Sequence, residues 1–210
     1  MLIKNYPEFF ASYKIYELVK NTMKGYMREK EVEQVISGLM AAEAKPDNFI
    51  KKLAVVASKY LPLTRNNDMI IRIKEKISDL AKVGVEPKKI VISKNGKETL
   101  RVSVENKTEA TLKFRVGVQQ LDRTYTALIH DAVTNFSKTK SIKAGIIEPN
   151  KVHVFKFIIK PDIYGIQDLY ELKKNKKISM TLGMQVDAEG IEGLKTPLSK
   201  IGLDIVTVKI

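Results

Sequence analysis

The sequence contains no cysteine, no tryptophan and only two histidines. Without cysteine the chain has no disulfide, no thiolate nucleophile and no zinc site built on sulfur. The two histidines, His130 and His153, fall in separate predicted strands, so a metal site would need carboxylates for most of its ligands. We therefore expect no metal site.

Long hydrophobic runs are also missing. No run approaches the roughly 18 apolar residues that a membrane helix needs. Charged residues such as Lys4, Glu8 and Lys14 interrupt the apolar residues near the start of the chain, unlike the core of a signal peptide. We therefore expect a cytoplasmic protein with no membrane-inserted segment.

Motifs for catalysis and for phosphate binding are absent from the sequence as well. Neither GxxxxGK[ST] nor GxGxxG occurs. His130 and Asp131 are adjacent on a predicted strand, so they point to opposite faces. They therefore cannot act together as a general base and the carboxylate that orients it. We expect no cofactor and no enzymatic activity; an enzyme remains an alternative only if carboxylates and a histidine cluster in space.

The chain has a formal charge of +13, and its 37 basic residues include only six arginines. A positive field attracts phosphate polymers and anionic surfaces, whereas specific phosphate and base recognition favours arginine. Lysine enrichment is equally typical of proteins from heat-adapted or AT-rich prokaryotes. The charge alone therefore does not identify a partner.

The apolar residues recur with a helical period before residue 84 and with a period of two after it. This change predicts an α+β protein, in which a four-helix domain (1–84) precedes a strand-rich domain (85–210). Gly84 is expected to close the last helix, and Pro87 to prevent its continuation.

The four predicted helices are delimited by prolines and by capping residues. The first begins near Pro7 and the second around 25–28; Asp47 or Asn48 is expected to cap the third, and Pro62 to end it. The fourth is predicted to be capped by Asn66, Asn67 or Asp68. Their apolar faces include Phe9, Tyr13, Tyr16, Met23, Met27, Val32, Val35, Ile36, Leu39, Met40, Phe49, Leu53, Val56, Ala57, Tyr60, Met69, Ile70, Ile73, Ile77 and Leu80.

Seven strands are predicted after the change in period. They are Ile90–Ile92, Thr99–Glu105, Thr111–Gln119, Thr124–Asp131, Val152–Ile159, Ile178–Val186 and Leu203–Lys209. Asn95-Gly96 predicts a two-residue hairpin between the first two strands. The alternation in LRVSVENKTEATLKFRVGVQQLD predicts that the second and third strands are neighbours, with one face buried and the other in water.

The stretches LRVSVEN, IIEPNKVHVFKFIIKPD, KKISMTLGMQVD and IGLDIVTVKI follow one another in the order found in a known family. This part of the chain, residues 90–210, resembles prokaryotic immunoglobulin-like β-sandwiches of the CARDB kind. In those, a strand ends in Asn before a turn of small residues, and a proline-containing turn precedes a long central strand. The resemblance implies a seven-stranded antiparallel immunoglobulin-like sandwich; Pro149-Asn150 replaces the family's usual Pro-Gly turn, and 163–177 is an insertion in which a short helix can form.

These observations favour a non-catalytic interaction or adaptor protein that binds a protein partner, or a second copy of itself, through sandwich edges and loops. The alternative is a nucleic-acid-binding protein that uses the lysine-rich insertion at 164–177 and the basic face of the fourth helix. The candidate contacts for an anion or a nucleic acid are Tyr164, Tyr170, Lys173, Lys174, Lys176 and Lys177 in the insertion, and Arg101, Lys113 and Arg115 on the exposed face of the predicted hairpin. A solvated loop and an ordinary charged surface explain the same residues without any ligand.

Overall fold

The computed structural model describes residues 16–41, 49–189 and 198–207, and within them the chain is an α+β protein with five helices and ten strands. The predicted α+β class is therefore confirmed. The described part of the first helix, α1, covers 16–23. The other helices are α2 (Glu29–Ala41), α3 (Phe49–Ala57), α4 (Leu63–Ser78) and α5 (Ile166–Asn175).

Helices α1 to α4 pack through apolar residues that recur every three or four positions. Their buried side chains include Val19, Met23, Val32, Val35, Leu39, Leu53, Met69, Ile73 and Ile77. At the start of α2, the Glu31 carboxylate accepts a hydrogen bond from the Arg28 backbone N–H at 2.8 Å, which satisfies one of the free donors of a helix N-terminus.

The predicted cap of the fourth helix is wrong. Helix α4 begins at Leu63, directly after Pro62, so Asn66 lies inside the helix and is buried. The Asn66 side-chain amide donates to the Ala54 carbonyl at 2.9 Å and thereby ties α4 to α3. The predicted start near Pro7 and the predicted caps Asp47 and Asn48 lie outside the described residues.

The strands form two five-stranded sheets. Sheet I has the order β1 (Ala81–Glu86), β3 (Glu98–Asn106), β8 (Val152–Ile163), β5 (Thr126–Asp131), β6 (Phe136–Lys138). Sheet II has the order β2 (Lys89–Ser93), β10 (Ser199–Val206), β9 (Lys177–Ala188), β4 (Leu112–Gln120), β7 (Lys140–Ile147). Neighbouring strands are antiparallel except β2 and β10, which are parallel.

The two sheets bury one face each in a shared core, which makes this part of the chain a β-sandwich. The predicted alternation is confirmed on the strands where it is clearest. Leu100, Val102 and Val104 of β3 are buried, and the side chains between them are more exposed. From sheet II the core receives Phe114, Val116, Val118, Met180, Leu182, Leu203 and Ile205.

The prediction of seven strands is wrong, because the described residues hold ten. The missed strands are β1, β6 and β7. Strand β7 reads KSIKAGII and only its last residue is buried, so it shows no alternation of apolar and polar residues. Strand β6 is three residues long, and β1 follows α4 so closely that its apolar residues extend the helical period. The predicted last strand ends at Val206, before its expected end at residue 209.

Both predicted hairpins are wrong. Strands β3 and β4 lie in opposite sheets, and so do β2 and β3, which Asn95 and Gly96 connect. Alternation identifies the buried face of a strand but not the sheet to which the strand belongs. The turns at 94–97 and 107–111 therefore carry the chain from one sheet to the other.

Asn106 holds the crossing from β3 to β4. Its side chain is fully buried, and its amide donates to the carbonyls of Ala110 at 2.7 Å and Ile147 at 2.9 Å. Its side-chain oxygen accepts hydrogen bonds from the Thr108 N–H at 3.0 Å and from the Thr108 hydroxyl at 2.7 Å. An asparagine is suited to this corner because its side chain both donates and accepts.

The helical part of the chain ends earlier than expected. Helix α4 ends at Ser78, and Gly84 lies in the middle of β1 opposite Ser103, so it does not close a helix. A Cβ atom at Gly84 would lie 2.5 Å from the Ser103 hydroxyl oxygen, so a larger residue here would require the Ser103 side chain to rotate. The division into domains at 84 and 85 remains a prediction.

Candidate functional site

Helix α5 connects the two sheets at one end of the sandwich. Strand β8 of sheet I ends at Ile163, and β9 of sheet II begins at Lys177. The helix lies in the insertion at 163–177, in which the sequence allows a short helix. It ends at Asn175, and the next residue, Lys176, has a φ of 59°, the left-handed conformation that commonly follows a helix.

A buried carboxylate fixes α5 to the start of β5. The Asp168 side chain accepts hydrogen bonds from the Tyr125 backbone N–H at 2.9 Å and from the Thr126 hydroxyl at 2.8 Å. Asp168 is 8% exposed and Thr126 is fully buried. Hydrogen bonds to a buried charged group are stronger than those between neutral groups, so this contact holds the helix in one position.

Tyr125 packs directly against the residue before α5. A Cβ atom at Gly165 would lie 2.3 Å from the Tyr125 Cβ, so only glycine permits this approach. The Tyr164 N–H also donates to the Tyr125 carbonyl at 3.4 Å. The loop that leads into β5 and the segment that leads into α5 are therefore held side by side.

Large side chains are exposed around this contact. Tyr125 is 64% exposed, Tyr164 62%, Ile166 86% and Tyr170 62%. Ile166 and Tyr170 are four residues apart on α5 and so share one helix face. Together with Lys173, Lys174 and Lys176, these four residues form the surface that we call the α5 end.

The lysines of the α5 end differ in their contacts from Lys177. The Lys174 ammonium lies 6.0 Å from the centroid of the Tyr170 ring, at the limit of a cation–π contact. In the described ranges, no carboxylate lies within ion-pair distance of Lys173, Lys174 or Lys176. Lys177, by contrast, forms an ion pair with Asp204 and has a structural role.

Asp204 is the centre of a polar cluster on the outer face of sheet II. Its carboxylate accepts a hydrogen bond from the Ser179 hydroxyl at 2.7 Å, and the ammonium groups of Lys89 and Lys177 both lie 3.1 Å away. The Ser179 hydrogen bond and, next, the two lysines lower the pKa of Asp204 to about 2, against the opposing effect of burial. The cluster joins β2, β10 and β9.

Arg101, Lys113 and Arg115 do not share a face, so the predicted patch on one hairpin is wrong. Arg101 lies on β3 of sheet I, opposite Lys156. Lys113 and Arg115 lie on β4 of sheet II, where Lys113 pairs with Glu189 at 3.3 Å and Arg115 with Asp187 at 2.7 Å. Because β3 and β4 belong to opposite sheets, their exposed side chains point away from each other.

Two residues of the α5 end were not among the predicted contacts. Tyr125 precedes β5 and is 39 positions before Tyr164, so only the fold brings the two together. Ile166 lies in the insertion, and its exposure on a helix face could have been predicted only once the helix was placed. The sequence therefore indicated the lysines and two of the tyrosines, and the fold adds the rest.

The part of the chain that the structure describes contains no group of three or more His, Asp or Glu side chains suited to a metal ion. The ring of His153 packs edge-on against Phe155 at 4.6 Å between centroids. His130 pairs with Ile158 and Ser137 in sheet I. No described helix is long and apolar enough to cross a membrane.

Comparison with known proteins identifies no family for the chain. No family model matches it, and no curated protein sequence matches it. Among solved structures, a FixG-related protein from Vibrio parahaemolyticus is similar with a TM-score of 0.34 and 11% identity, over 61% of this chain and 95% of that one. Domains 4 and 5 of the S-layer protein SbsC give 0.30 and 11%, over 60% of this chain and 51% of that one.

A third similar structure is a family 123 glycoside hydrolase from Clostridium perfringens, with a TM-score of 0.38 and 6% identity, over 62% of this chain and 28% of that one. Similarities this low carry no argument about function. The resemblance to CARDB sandwiches stays a prediction.

Proposed function

We propose that this chain is a non-catalytic, cytoplasmic interaction protein with an immunoglobulin-like sandwich, and that the α5 end binds a protein partner. The observation that carries the proposal is the exposure of three tyrosines and Ile166 on a surface that the buried Asp168 holds in place. Tyrosine is enriched at protein interfaces, because its large ring buries much area at little cost in side-chain entropy. A surface that is already ordered loses less conformational entropy on binding, so binding costs less free energy.

The partner segment is expected to be acidic. Lys173, Lys174 and Lys176 lie beside the tyrosines, and no ion pair within the described ranges neutralises them. Opposite charge across an interface speeds association and excludes partners of the wrong sign.

Two edge strands of the sandwich are poorly suited to pair with a strand of a partner. This favours the α5 end over these edges as the binding surface. Strand β6 is three residues long. Lys143 of β7 points toward the core side, where its ammonium donates to the Lys156 carbonyl at 2.5 Å and lies 5.4 Å from the Phe157 ring centroid. Short edge strands and inward-pointing charges are features that oppose strand addition.

A nucleic acid is the alternative partner, since tyrosines and lysines also bind single strands. One observation favours a protein. The Lys174 ammonium lies beside the Tyr170 ring, where a base would stack.

Affinity capture from native extract with matched variants tests the proposal. The first variant carries Tyr164→Ser and Tyr170→Ser; the control carries Val133→Ser and Phe136→Ser, which are 94% and 71% exposed near the β5–β6 turn. That turn lies about 20 Å from the α5 end, at the other end of the six-residue strand β5. We expect a protein that the native chain and the control retain and the tyrosine variant loses, with or without nuclease treatment.

The proposal would be overturned if both variants retained the same proteins. Loss of every retained protein after nuclease treatment would support the nucleic-acid alternative.

A further inference from the structure

A groove of about 240 Å³ lies on the outer face of sheet II. Gly117 of β4 forms its floor, with Ile142 of β7 opposite on one side and Gln185 of β9 opposite on the other. A Cβ atom at Gly117 would meet only ordinary contacts, at 3.7 Å or more. Glycine is therefore not required for folding at this position, and its missing side chain leaves the groove open.

The size of the groove fits one or two amino-acid side chains. Sites for cofactors and drug-sized ligands usually occupy about 300–1,000 Å³. The groove is smaller than these, and most of its lining residues lie on β4, β7 and β9. These dimensions favour a short segment of extended polypeptide over a compact small molecule.

The walls of the groove present apolar and amide groups together. Ile142 is 57% exposed and Leu198 is 41% exposed, so an aliphatic side chain above Gly117 would bury apolar surface on both. The side-chain amides of Gln119 and Gln185 also line the groove. Each amide offers a donor and an acceptor, as a peptide group does.

The charges around the groove predict a second feature of a peptide that binds there, an acidic side chain. Arg115 and Asp187 pair with each other at 2.7 Å, which leaves the groove's other charged group, Lys140, without a carboxylate among the described residues. Lys140 lies two residues before Ile142 on β7, which is about 7 Å along an extended strand. A peptide that runs along the strands has the same spacing between residues i and i+2.

We propose that this groove binds an extended peptide segment of a partner protein, in which an aliphatic residue and an acidic residue are two positions apart. The aliphatic side chain lies over Gly117 against Ile142, and the acidic side chain meets the ammonium of Lys140. The site is separate from the α5 end and does not depend on the function proposed for that surface.

Amide chemical shifts of the full chain, titrated with capped heptapeptides, test the proposal. The probes contain leucine–threonine–glutamate or glutamate–threonine–leucine between glycine and serine residues. The control peptides replace glutamate with lysine, or leucine with serine. We expect saturable shifts at the amides around Gly117, Ile142 and Gln185 with at least one of the two acidic probes, and binding at least fivefold weaker with both controls.

Two variants identify the groove as the binding site. Gly117→Val fills the floor with a residue that favours strands, and Gly202→Val makes the same change elsewhere on the outer face of sheet II. We expect Gly117→Val to abolish peptide binding and Gly202→Val to retain it. Lys140→Glu should weaken binding of the acidic probe about five- to tenfold and restore binding of the lysine peptide.

The charge reversal tests the proposal even if Gly117→Val fails to fold. Three results would overturn it: no saturable shift with either acidic probe, equal binding of the lysine control, or shifts at the groove on concentrating the protein without peptide, which would indicate a second copy of the chain.

Discussion

The carboxylate of Asp168 and the hydroxyl of Thr126 lie 2.8 Å apart and are almost completely buried. They are 42 residues apart in the sequence, and this hydrogen bond fixes α5 against the first residue of β5. The exposed tyrosines of the α5 end are therefore carried by an ordered part of the fold.

Replacing Asp168 with Ala should destabilise the protein measurably. The change leaves the Tyr125 N–H and the Thr126 hydroxyl without their acceptor, and each unpaired buried polar group costs about 1–3 kcal/mol. Urea denaturation measures this loss. The exposed Glu171→Ala on the same helix is the control, with an expected effect within about 0.5 kcal/mol; equal effects of the two substitutions would show that Asp168 does not anchor α5.

Asn106→Asp should destabilise the fold although the two side chains have nearly the same shape. The amide of Asn106 donates to the carbonyls of Ala110 and Ile147, and a carboxylate cannot donate to either. A buried charge next to two carbonyl oxygens should lower the free energy of unfolding by about 3 kcal/mol or more. Thermal unfolding at neutral pH measures the change, and a variant as stable as the native chain would contradict the role assigned to this corner.

The stability conferred by Asp204 should depend on pH in a defined window. Its pKa falls from an ordinary value of 3.8 to about 2 in the folded protein, so the folded state favours the charged form. The contribution is complete above about pH 4 and is lost as the pH falls toward 2. The difference in unfolding free energy between the native chain and Asp204→Asn should therefore narrow between pH 4 and pH 2; a difference that stays constant over this range would contradict the ion cluster.

Removing the inward charge of β7 should promote association. Lys143 lies opposite Val116, on the core-facing side of an edge strand, and its ammonium covers the Phe157 ring. Lys143→Val leaves this edge open to another strand, whereas Lys113→Val removes the same charge from β4, which is paired on both sides. Sedimentation velocity should show larger species for Lys143→Val only, and unchanged sedimentation would mean that the lysine does not protect the edge.

The positions of helices and strands could be predicted wherever the spacing of apolar residues determines the local structure. Helices α2 to α4 and the seven predicted strands lie close to their expected positions, because the burial of one face imposes a period on the residues. Edge strands do not follow this rule. Strand β7 has an exposed Ile142 and Ile146 and an inward Lys143, so its pattern does not indicate which side faces the core.

Strand pairing was not predictable because it depends on contacts between distant residues. The sequence around Asn106 is compatible with a tight hairpin, and only the hydrogen bond from Asn106 to Ile147, 41 residues away, distinguishes the crossing between sheets. The same limit applies to the α5 end. Lysines and tyrosines of one insertion were visible in the sequence, whereas the contact of Tyr164 with Tyr125 follows from the fold.

Photo-crosslinking in intact cells tests the central claim most directly. A benzophenone amino acid replaces Tyr170 at the α5 end or, as the control, Val133 at the far end of β5, and mass spectrometry identifies the attached molecule. The account predicts a covalent adduct with an acidic segment of a protein from position 170 only, and its loss when Lys173, Lys174 and Lys176 are changed to Glu. An adduct with nucleic acid, equal yields at the two positions or no adduct at position 170 would contradict it.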